Sequence, residues 1–341
     1  METFKPVKKA LAEDALHWRC EASQTTGFAP HFQNTVPRIV SLIASATEIV
    51  HALGQLPNLV GRSHECDFPE AVRELPVCTR PRIAVDGDSR EIDRLVKESA
   101  RSSVSIYEVF EETLERLQPT HILTQIQCEV CAVSLRDVEE AIARGMKGNP
   151  KIVSLRPDSL SEIWEDVRHV ARALEIPERG EEVVGELQNR MAALAVAERA
   201  APLPRVACIE WIEPLMAAGN WTPELIQMAG GVNLFGEAGK HSPWMTWDEL
   251  AAADPDVIVI APCGFDLPRT EREMHWLTDR PAWYGLRAVR DCRVYLADGN
   301  QYFNRPGPRV VETLEALVEM LHPHHRAPRL RGTAWRDMMS M

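Results

Sequence analysis

The sequence lacks any apolar run of the roughly 18 residues that a membrane-spanning helix needs. Its first thirty residues also lack the apolar stretch of a secretory signal peptide, and Cys20 lies in HWRCEA, which is no lipid-attachment context. These two features predict a cytoplasmic protein that does not insert into a membrane. In a reducing compartment, its eight cysteines are expected to be free thiols or metal ligands rather than disulfides.

Positive charge is scarce as well. The chain carries 38 Lys and Arg against 50 Asp and Glu, a net charge of -12. Because nucleic-acid binding needs clustered cations, this balance argues against nucleic acid as a partner. The sequence contains no phosphate-binding loop, no dinucleotide-binding turn and no GxSxG elbow. No acid–base pair or nucleophile with an evident partner is visible, so we do not expect an enzyme.

Strand patterns alternate with helix patterns along the chain, which is typical of parallel sheets. At 341 residues the chain is long enough for two cores. Between the two alternating stretches, and directly after Pro177, the segment Glu178–Ala201 has apolar residues at helical spacing. A helix of that length would span roughly 35 Å. We therefore predict an α/β fold with two Rossmann-like lobes joined by one long backbone helix; the alternative is a crossover helix inside one large sheet.

The predicted organisation has five parts. They are a polar N-terminal arm (1–36), a first α/β lobe (37–157), a helical linker that includes the backbone helix (158–203), a second α/β lobe (204–322) and a basic tail (323–341). The tail, rich in Pro, is expected to be mobile.

Some local features refine this scheme. Ser45 can cap the helix after the first strand, with Glu48 completing a capping box, and Tyr107–Leu117 is predicted to be one helix. A weak internal repeat supports two lobes. The stretches TLERLQPTHILTQIQC and ELAAADPDVIVIAPCG share a helix, a Pro, a buried strand and a Cys in the loop that follows.

Ligands of open parallel sheets bind at the carboxyl ends of the strands, so the loops that leave the strands hold the candidate site. Metal-capable side chains are concentrated in these loops of the first lobe and aromatic ones in the second. With Trp244 from the same tryptophan-rich region, the candidate ligand-binding residues are His64, Glu65, Cys66, Gln127, Cys128, Glu210, Trp211, Trp221, Trp244, Cys263, Gln301, Tyr302 and Phe303.

The thiols of the first lobe have several interpretations. Cys128 and Cys131 form a CxxC, and His64 and Cys66 could face it, giving four ligands for a tetrahedral zinc or iron site. The same thiols could form a redox pair, approach the metal of a bound cofactor, or pack as small apolar side chains. In the second lobe, aromatic walls suit a large, flat, partly apolar ligand, although Trp244 equally fits a core position.

Several segments of the sequence are similar to one known family. The stretch RIVSLIASATEIVHALGQLPNLVGRSHECDFP resembles the opening of the cobalamin- and siderophore-binding proteins of ABC importers, the class III substrate-binding proteins. The resemblance continues through LERLQPTHILTQ, AGNWTPELIQMAGGVNLFG and LAAADPDVIVIAP, and covers roughly residues 37–322. The segments HECDFP, QCEVCAVS, EWIEPLMAAGNW and DGNQYFNRPGPR resemble the cobalamin-binding branch in particular.

The resemblance implies a monomeric binding protein with two lobes that holds cobalamin, or a related corrinoid or metal chelate, in the cleft between them. It also implies a possible ABC permease as partner, docked through one acid per lobe, at the matching positions Glu112 and Asp248. The competing hypothesis is a cytosolic metalloprotein or metal-dependent enzyme on the same fold, with zinc or iron held by His64, Cys66, Cys128 and Cys131. A third hypothesis is a scaffold protein that binds no small molecule.

Overall fold

The computed structural model describes residues 36–102, 105–126, 135–143, 148–196, 202–324 and 327–338. Within these ranges, no helix is long and apolar enough to cross a membrane. The strands are β1 (Ile39–Ser41), β2 (Leu59–Arg62), β3 (Thr79–Pro81), β4 (Tyr107–Val109), β5 (His121–Gln125), β6 (Lys151–Leu155), β7 (Arg205–Trp211), β8 (Met216–Ala217), β9 (Val232–Asn233), β10 (Val257–Ile260), β11 (Val294–Ala297) and β12 (Trp335–Asp337).

The α-helices are α1 (Ala44–Ala52), α2 (Ser89–Ser102), α3 (Glu111–Leu117), α4 (Leu135–Ala143), α5 (Leu160–Ala173), α6 (Pro177–Leu194), α7 (Thr222–Met228), α8 (Trp247–Ala253), α9 (Leu267–Glu273), α10 (His275–Thr278), α11 (Arg287–Arg290) and α12 (Val310–Leu321). Short 3₁₀ turns lie at Leu56–Asn58, Glu70–Glu74 and Pro281–Gly285, and a single π-helical turn at Gly299–Phe303.

Two sheets confirm the predicted α/β fold. The first has the strand order β2-β1-β5-β6, and all its pairings are parallel. In the second, β9, β7, β10 and β11 pair in parallel, while β8 and β12 pair antiparallel at its edges. The central strands are buried on both faces, as parallel sheets covered by helices require.

The internal repeat has a direct structural counterpart. Helix α3 ends at Gln118 and helix α8 at Asp254, and both of these residues adopt a left-handed conformation, with φ of 46° and 39°. In each unit a proline follows, and then a buried parallel strand, β5 or β10. A left-handed residue at the C-cap followed by proline ends a helix abruptly, so the two units turn into their strands in the same way.

The backbone helix begins where it was predicted and ends earlier. Helix α6 starts with Pro177 at its first position and buries Val183, Val184, Leu187 and Met191, but it ends at Leu194. Its 18 residues span about 27 Å. The predicted end at Ala201 is wrong because the chain turns away at once: the Val196 N–H donates to the carbonyl of Met228 at 3.0 Å.

Other local predictions are also corrected. Tyr107–Leu117 is not one helix, because β4 pairs with β3 before α3 begins. Helix α1 starts after Ile43 with no side-chain cap, so Ser45 and Glu48 lie inside the helix and form no capping box.

The tail is not free where the structure describes it. Strand β12 adds to the second sheet beside β11, with Leu330, Ala334 and Trp335 buried. The Trp335 indole donates to Glu319 at 2.7 Å, which ties this segment to α12.

One continuous apolar core connects the sheets. Buried residues of α1, α5, α6 and α12 belong to a single cluster with side chains from both sheets. Helices α5 and α6 pack so closely that a Cβ on Gly180 would stand 2.6 Å from that of Ala171. This shared core holds the base of the two lobes together.

Candidate functional site

A cavity of about 120 Å³ lies where the carboxyl ends of strands from both sheets face each other. Its lining comes from the residues that follow β1, β2, β8, β9, β10 and β11 and from the last residues of β5 and β7. Most of these loops leave parallel strands at their carboxyl ends, as expected for open parallel sheets. The lining residues are Ile43, Ala44, Ser45, Glu65, Gln125, Glu210, Asn220, Trp221, His241, Cys263, Gly264, Gly299, Asn300, Asn304, Arg305 and Pro306.

Four of the candidate residues predicted from the sequence meet in this lining. They are Glu65 from the first lobe and Glu210, Trp221 and Cys263 from the second. Trp221 is buried at 5% exposure, and Glu210 accepts a hydrogen bond from the Ser242 hydroxyl at 2.9 Å. The rule that the strand-exit loops form the site therefore selected residues that lie together, although they are far apart in the chain.

The HxC element does not present its thiol to the cavity. Cys66 is 1% exposed, belongs to the apolar core and contacts the hydroxyls of Thr47 at 3.0 Å and Ser63 at 3.2 Å. Burial raises the pKa of the Cys66 thiol, so it stays protonated and is a poor metal ligand. This corrects the prediction that Cys66 approaches the ligand or a metal.

His64 is also turned away from the cavity lining. Its Nδ1 lies 2.9 Å from the Thr79 hydroxyl, and its ring packs on Tyr107 with the centroids 5.5 Å apart. Burial, with Arg62 nearby, lowers the pKa of His64 to about 4, so the imidazole is neutral at pH 7. His64 lies beside Glu65, with Nε2 3.9 Å from the carboxylate, and supports the wall rather than forming it.

The predicted aromatic wall is only partly present. Trp211 packs on Phe265 rather than lining the cavity, and Trp244 is 55% exposed at the surface. Phe303 is buried in the core, while Tyr302 stacks on Arg309.

Gln301 lies at the edge of the cleft without lining it. Its side-chain amide donates to Asp67 of the first lobe at 3.2 Å. Gln301 therefore supports a contact between the lobes and takes no direct part in the cavity wall.

Gln127, Cys128 and Cys131 lie outside the described residues. Among the residues that are described, no group of three or more His, Cys, Asp or Glu side chains is arranged to hold a metal ion.

An ion cluster that the sequence did not reveal forms the base of the cleft. The guanidinium of Arg305, from the second lobe, donates to Glu48 of α1 at 3.1 Å and to Asp67 at 2.7 Å. Arg309 reaches Glu48 at 3.5 Å and lies 4.2 Å from the centroid of the Phe68 ring. The side chains of Arg305 and Glu48 are 4% and 1% exposed, so this ion pair connects the two lobes in a region that is shielded from solvent.

The carboxyl groups at the cleft are held in a poorly hydrated environment. Burial raises the pKa of Glu48 to about 7 against the attraction of Arg305 and Arg309, and burial raises the pKa of Glu65 to about 7 as well. The side chain of Glu65 is still 38% accessible, because it borders the open part of the cleft. Glu48 is therefore poised to exchange a proton near neutral pH, whereas solvent reaches Glu65 and favours its ionised form.

The carboxamides of the lining were also missed from the sequence. Four carboxamides line the cavity: Gln125, Asn220, Asn300 and Asn304. Asn220 adopts φ of 52°, and Asn304 donates to the Ala261 carbonyl at 2.8 Å. The sequences AAGNW and DGNQYFNRPG contain these asparagines in the loops after strands, so a search of those loops for amides would have found them.

A bridging segment, residues 82–102, leaves the first lobe between β3 and β4 and contacts the second lobe. At the start of α2, Ser89 donates through its N–H and hydroxyl to Glu273 at 3.1 and 2.9 Å. Arg269 of α9 donates to the carbonyls of Gly87, at 3.0 Å, and Val85.

Two cations of α2 extend this contact along the helix. Arg90 pairs with Glu213 at 3.3 Å and lies 4.2 Å from the centroid of the Trp276 ring, and Lys97 lies 5.0 Å from that of Trp244. Glu213 and Trp244 are each three residues from a cavity residue. The bridging segment thus links the two lobes through residues that are close in sequence to the cavity lining.

Removing the two cations should open the cleft. In an Arg90→Ala/Lys97→Ala variant, we expect alkylation of the half-buried cavity residue Cys263 by iodoacetamide to accelerate about fivefold, as a released contact of 1 kcal/mol predicts. Peptide mass spectrometry measures the rate, with the exposed Cys292 as internal reference. The matched control is Arg94→Ala/Glu98→Ala, which removes an exposed ion pair within α2. Equal rates in both variants would show that the bridging segment does not restrict access.

Comparison with known proteins agrees with this geometry. Residues 39–300 match the family model of the periplasmic binding proteins, which is more than half of the chain. The chain therefore belongs to the periplasmic binding protein family, a family of non-enzymatic binding proteins with two lobes.

Relatives and solved structures are distant but cover most of the chain. The vitamin B12-binding protein of Vibrio vulnificus is 21% identical over 286 residues, covering 83% of this chain and 89% of the relative. The vitamin B12-binding protein of Photorhabdus laumondii is 23% identical over 288 residues, covering 84% of this chain and 88% of the relative.

Among solved structures, a periplasmic heme binding protein from Pseudomonas aeruginosa superposes with a TM-score of 0.65 at 22% identity, covering 88% of this chain and 97% of that one. The periplasmic vitamin B12 binding protein of Vibrio cholerae superposes with a TM-score of 0.58 at 20% identity, covering 84% of this chain and 96% of that one. These likenesses confirm the fold.

Proposed function

We propose that this protein binds a corrinoid, cobalamin or a close relative, in the cleft between its lobes, as the substrate-binding component of an ABC-type importer. Curated relatives that align over more than four fifths of the chain are vitamin B12-binding proteins. Solved structures with the same fold include heme-binding and vitamin B12 binding proteins, so the choice between these ligands depends on the cavity itself.

The chemistry of the lining favours a corrinoid over heme. A corrinoid carries carboxamide groups around its ring, whereas heme carries two anionic propionates. The cavity offers four carboxamides and the carboxyls of Glu65 and Glu210, all of which can pair with amides. Among the described lining residues, only Arg305 has a permanent positive charge, and Asp67 already pairs with it, together with Glu48 when that carboxyl is ionised. This combination is the observation that carries the proposal, because the two propionates of heme would meet a single arginine that is already paired.

Two neighbouring side chains of the lining hold unsatisfied polar atoms. Oδ1 of Asn220 and Nε1 of Trp221 are buried with no hydrogen-bond partner among the described residues. Buried polar groups are nearly always paired in native proteins. A ligand carboxamide has both a donor and an acceptor, so one such group could satisfy an acceptor and a donor on adjacent residues.

The size of the cavity adds a requirement. Pockets that bury drug-sized ligands hold roughly 300–1,000 Å³, whereas this cavity holds about 120 Å³. Binding of a corrinoid therefore needs the lips of the cleft to separate, while the shared core and the ion cluster keep the base closed.

Titration with defined ligands tests the function. We expect cyanocobalamin and cobinamide to bind at micromolar concentration or tighter, with a change in the corrin spectrum and quenching of tryptophan fluorescence, and hemin to bind at least tenfold more weakly. Replacing Asn220 by glycine keeps its positive φ without strain and should weaken corrinoid binding about tenfold, the value of a hydrogen bond.

The matched control is Asn58→Gly, which removes an asparagine whose amide contacts only Gln55. Absence of corrinoid binding by the purified protein, or preference for hemin, would refute the proposal. Stoichiometric zinc or iron bound without any corrinoid would instead favour the metalloprotein hypothesis.

Docking to a permease is the second part of the proposal. Glu112 and Asp248 are both exposed, and each is the second residue of a seven-residue helix, α3 or α8, in the two repeated units. The two carboxylates therefore occupy equivalent places on the two lobes. Charge reversal at both, Glu112→Lys/Asp248→Lys, should abolish corrinoid uptake by cells while corrinoid binding to the purified protein is unchanged. Unchanged uptake would reject this docking mode.

A further inference from the structure

We propose that Asp67 and Glu48, neither of which lines the cavity, determine which charge of ligand the cleft accepts by occupying the guanidinium of Arg305. This inference rests on the proposed function, since it explains how a cleft that contains an arginine still prefers an uncharged or cationic ligand. The three side chains come from different parts of the chain: Glu48 from α1, Asp67 from the loop after β2, and Arg305 from the segment before α12.

Both terminal nitrogens of the Arg305 guanidinium make hydrogen bonds within the protein. Its Nη1 donates to Asp67 at 2.7 Å and to Glu48 at 3.1 Å, and its Nη2 lies 3.4 Å from Oδ1 of Asn300. A ligand carboxylate that approached Nη1 would have to displace protein carboxylates from a side chain that is 4% exposed. Charge-assisted bonds of this kind are the strong ones, so the exchange is unfavourable.

The acids are themselves held in place. Gln301 donates to the second oxygen of Asp67 at 3.2 Å, and Arg309 approaches Glu48 at 3.5 Å. Arg309 in turn lies between the rings of Phe68 and Tyr302, 4.2 Å from each centroid. Because α1 and α12 share the continuous core, this arrangement stays at the base when the lips of the cleft separate.

Two further carboxyl groups contribute negative charge to the cavity lining. Glu65 and Glu210 line it, so an anionic ligand meets two acids and one arginine that is already neutralised. If the charge of Asp67 is removed, Glu48 is the one anionic partner that Arg305 keeps at hydrogen-bond distance within the described part of the chain, and one bond of Nη1 becomes available to a ligand. The cleft should then accept carboxylates.

A gain of binding tests the inference. The probes are hemin and iron-free protoporphyrin, which share two propionates but differ in the metal. In Asp67→Asn we expect the affinity for both to rise about tenfold over the wild type, with the affinity for cobinamide changed less than threefold. Equal gains for both probes show that the propionates, rather than iron ligation, meet Arg305. Protection of Cys263 from iodoacetamide by the bound porphyrin places it in the cleft.

The control and the second variant keep the test decisive. Glu70→Gln removes an exposed acid three residues away and changes the net charge equally, and it should leave both porphyrin affinities unchanged. Asp67→Ser removes the same charge with a smaller side chain, in case the asparagine distorts the loop. Porphyrin affinities that do not rise in either Asp67 variant, with both proteins folded by circular dichroism, overturn the inference. That outcome is separable from failure of corrinoid binding, which is measured on the wild type alone.

Discussion

Replacing Arg305 by alanine should lower the free energy of unfolding by roughly 3 kcal/mol, because it leaves buried carboxylates without their cation. Glu48 is 1% exposed in its side chain, and the same guanidinium also pairs with Asp67. Breaking a buried pair by removing one partner costs about 3–5 kcal/mol, and the lower end applies because Arg309 still approaches Glu48 at 3.5 Å. Glu48 would also become protonated more readily, which limits the loss.

Urea unfolding followed by tryptophan fluorescence measures this loss. The matched control is Arg94→Ala, which breaks an ion pair with Glu98 in which both side chains are more than half exposed. This change should cost below about 0.5 kcal/mol.

The Arg305→Ala variant should also show a sharper dependence of stability on pH. Burial holds the folded pKa of Glu48 at about 7, above its unfolded value, so its ionisation destabilises the fold as pH rises. Without Arg305 that penalty grows, so the variant should be least stable above pH 7. Equal losses in Arg305→Ala and Arg94→Ala would show that the cluster does not hold the base together.

The features predicted correctly from the sequence are those with local causes. The paired helix–proline–strand units could be read directly, because a left-handed residue and a proline end each helix within the unit itself. The start of the backbone helix followed from Pro177, which lies at its first position. Alternation of strands and helices was enough for the two parallel sheets.

The features that were missed depend on partners distant in the chain. Glu48 fits a capping box by its spacing from Ser45, yet it lies inside α1, and its partner is Arg305, 257 residues later. Spacing within a helix carries no information about such a partner. The end of the backbone helix was likewise displaced by a hydrogen bond from Val196 to Met228.

The candidate site was predicted at the level of loops rather than of side chains. The expectation that ligands bind at the strand ends led to the loops that form the cavity, which Glu65, Glu210, Trp221 and Cys263 line. Which side chain of a loop points inward depends on turn geometry that composition does not show. The choice of residues rested on metal affinity and aromatic character, and so it omitted the amides that form much of the polar wall. The bridging segment at residues 82–102 was missed because α2 has a polar surface typical of an ordinary exposed helix.

Replacing Gly299 by alanine should destabilise the protein by about 3 kcal/mol, the upper end of the range for overpacking, and weaken ligand binding at the same time. A Cβ at this position would stand 2.0 Å from the carbonyl oxygen of Pro262 and 2.9 Å from the carbonyl carbon of Ala261. These are backbone atoms, so no rotamer change can relieve the clash, and the loops after β10 and β11 must move apart. Gly299 lines the cavity with Cys263, so this movement deforms the wall itself.

The matched control for this change is Gly285→Ala, where nothing lies within 4 Å of the new Cβ and φ is not positive. That variant should stay within about 0.5 kcal/mol of the wild type, as open surface positions do. Urea unfolding gives the stability of both proteins, and cobinamide titration gives their affinity. We expect affinity to fall at least tenfold for Gly299→Ala only, because the loop that carries Cys263 and the loop that carries Gly299 must keep their spacing for the cavity wall to form. Comparable stability and affinity in the two variants would mean that these loops move apart without cost, and the close approach of Gly299 to Pro262 would then have no part in shaping the cleft.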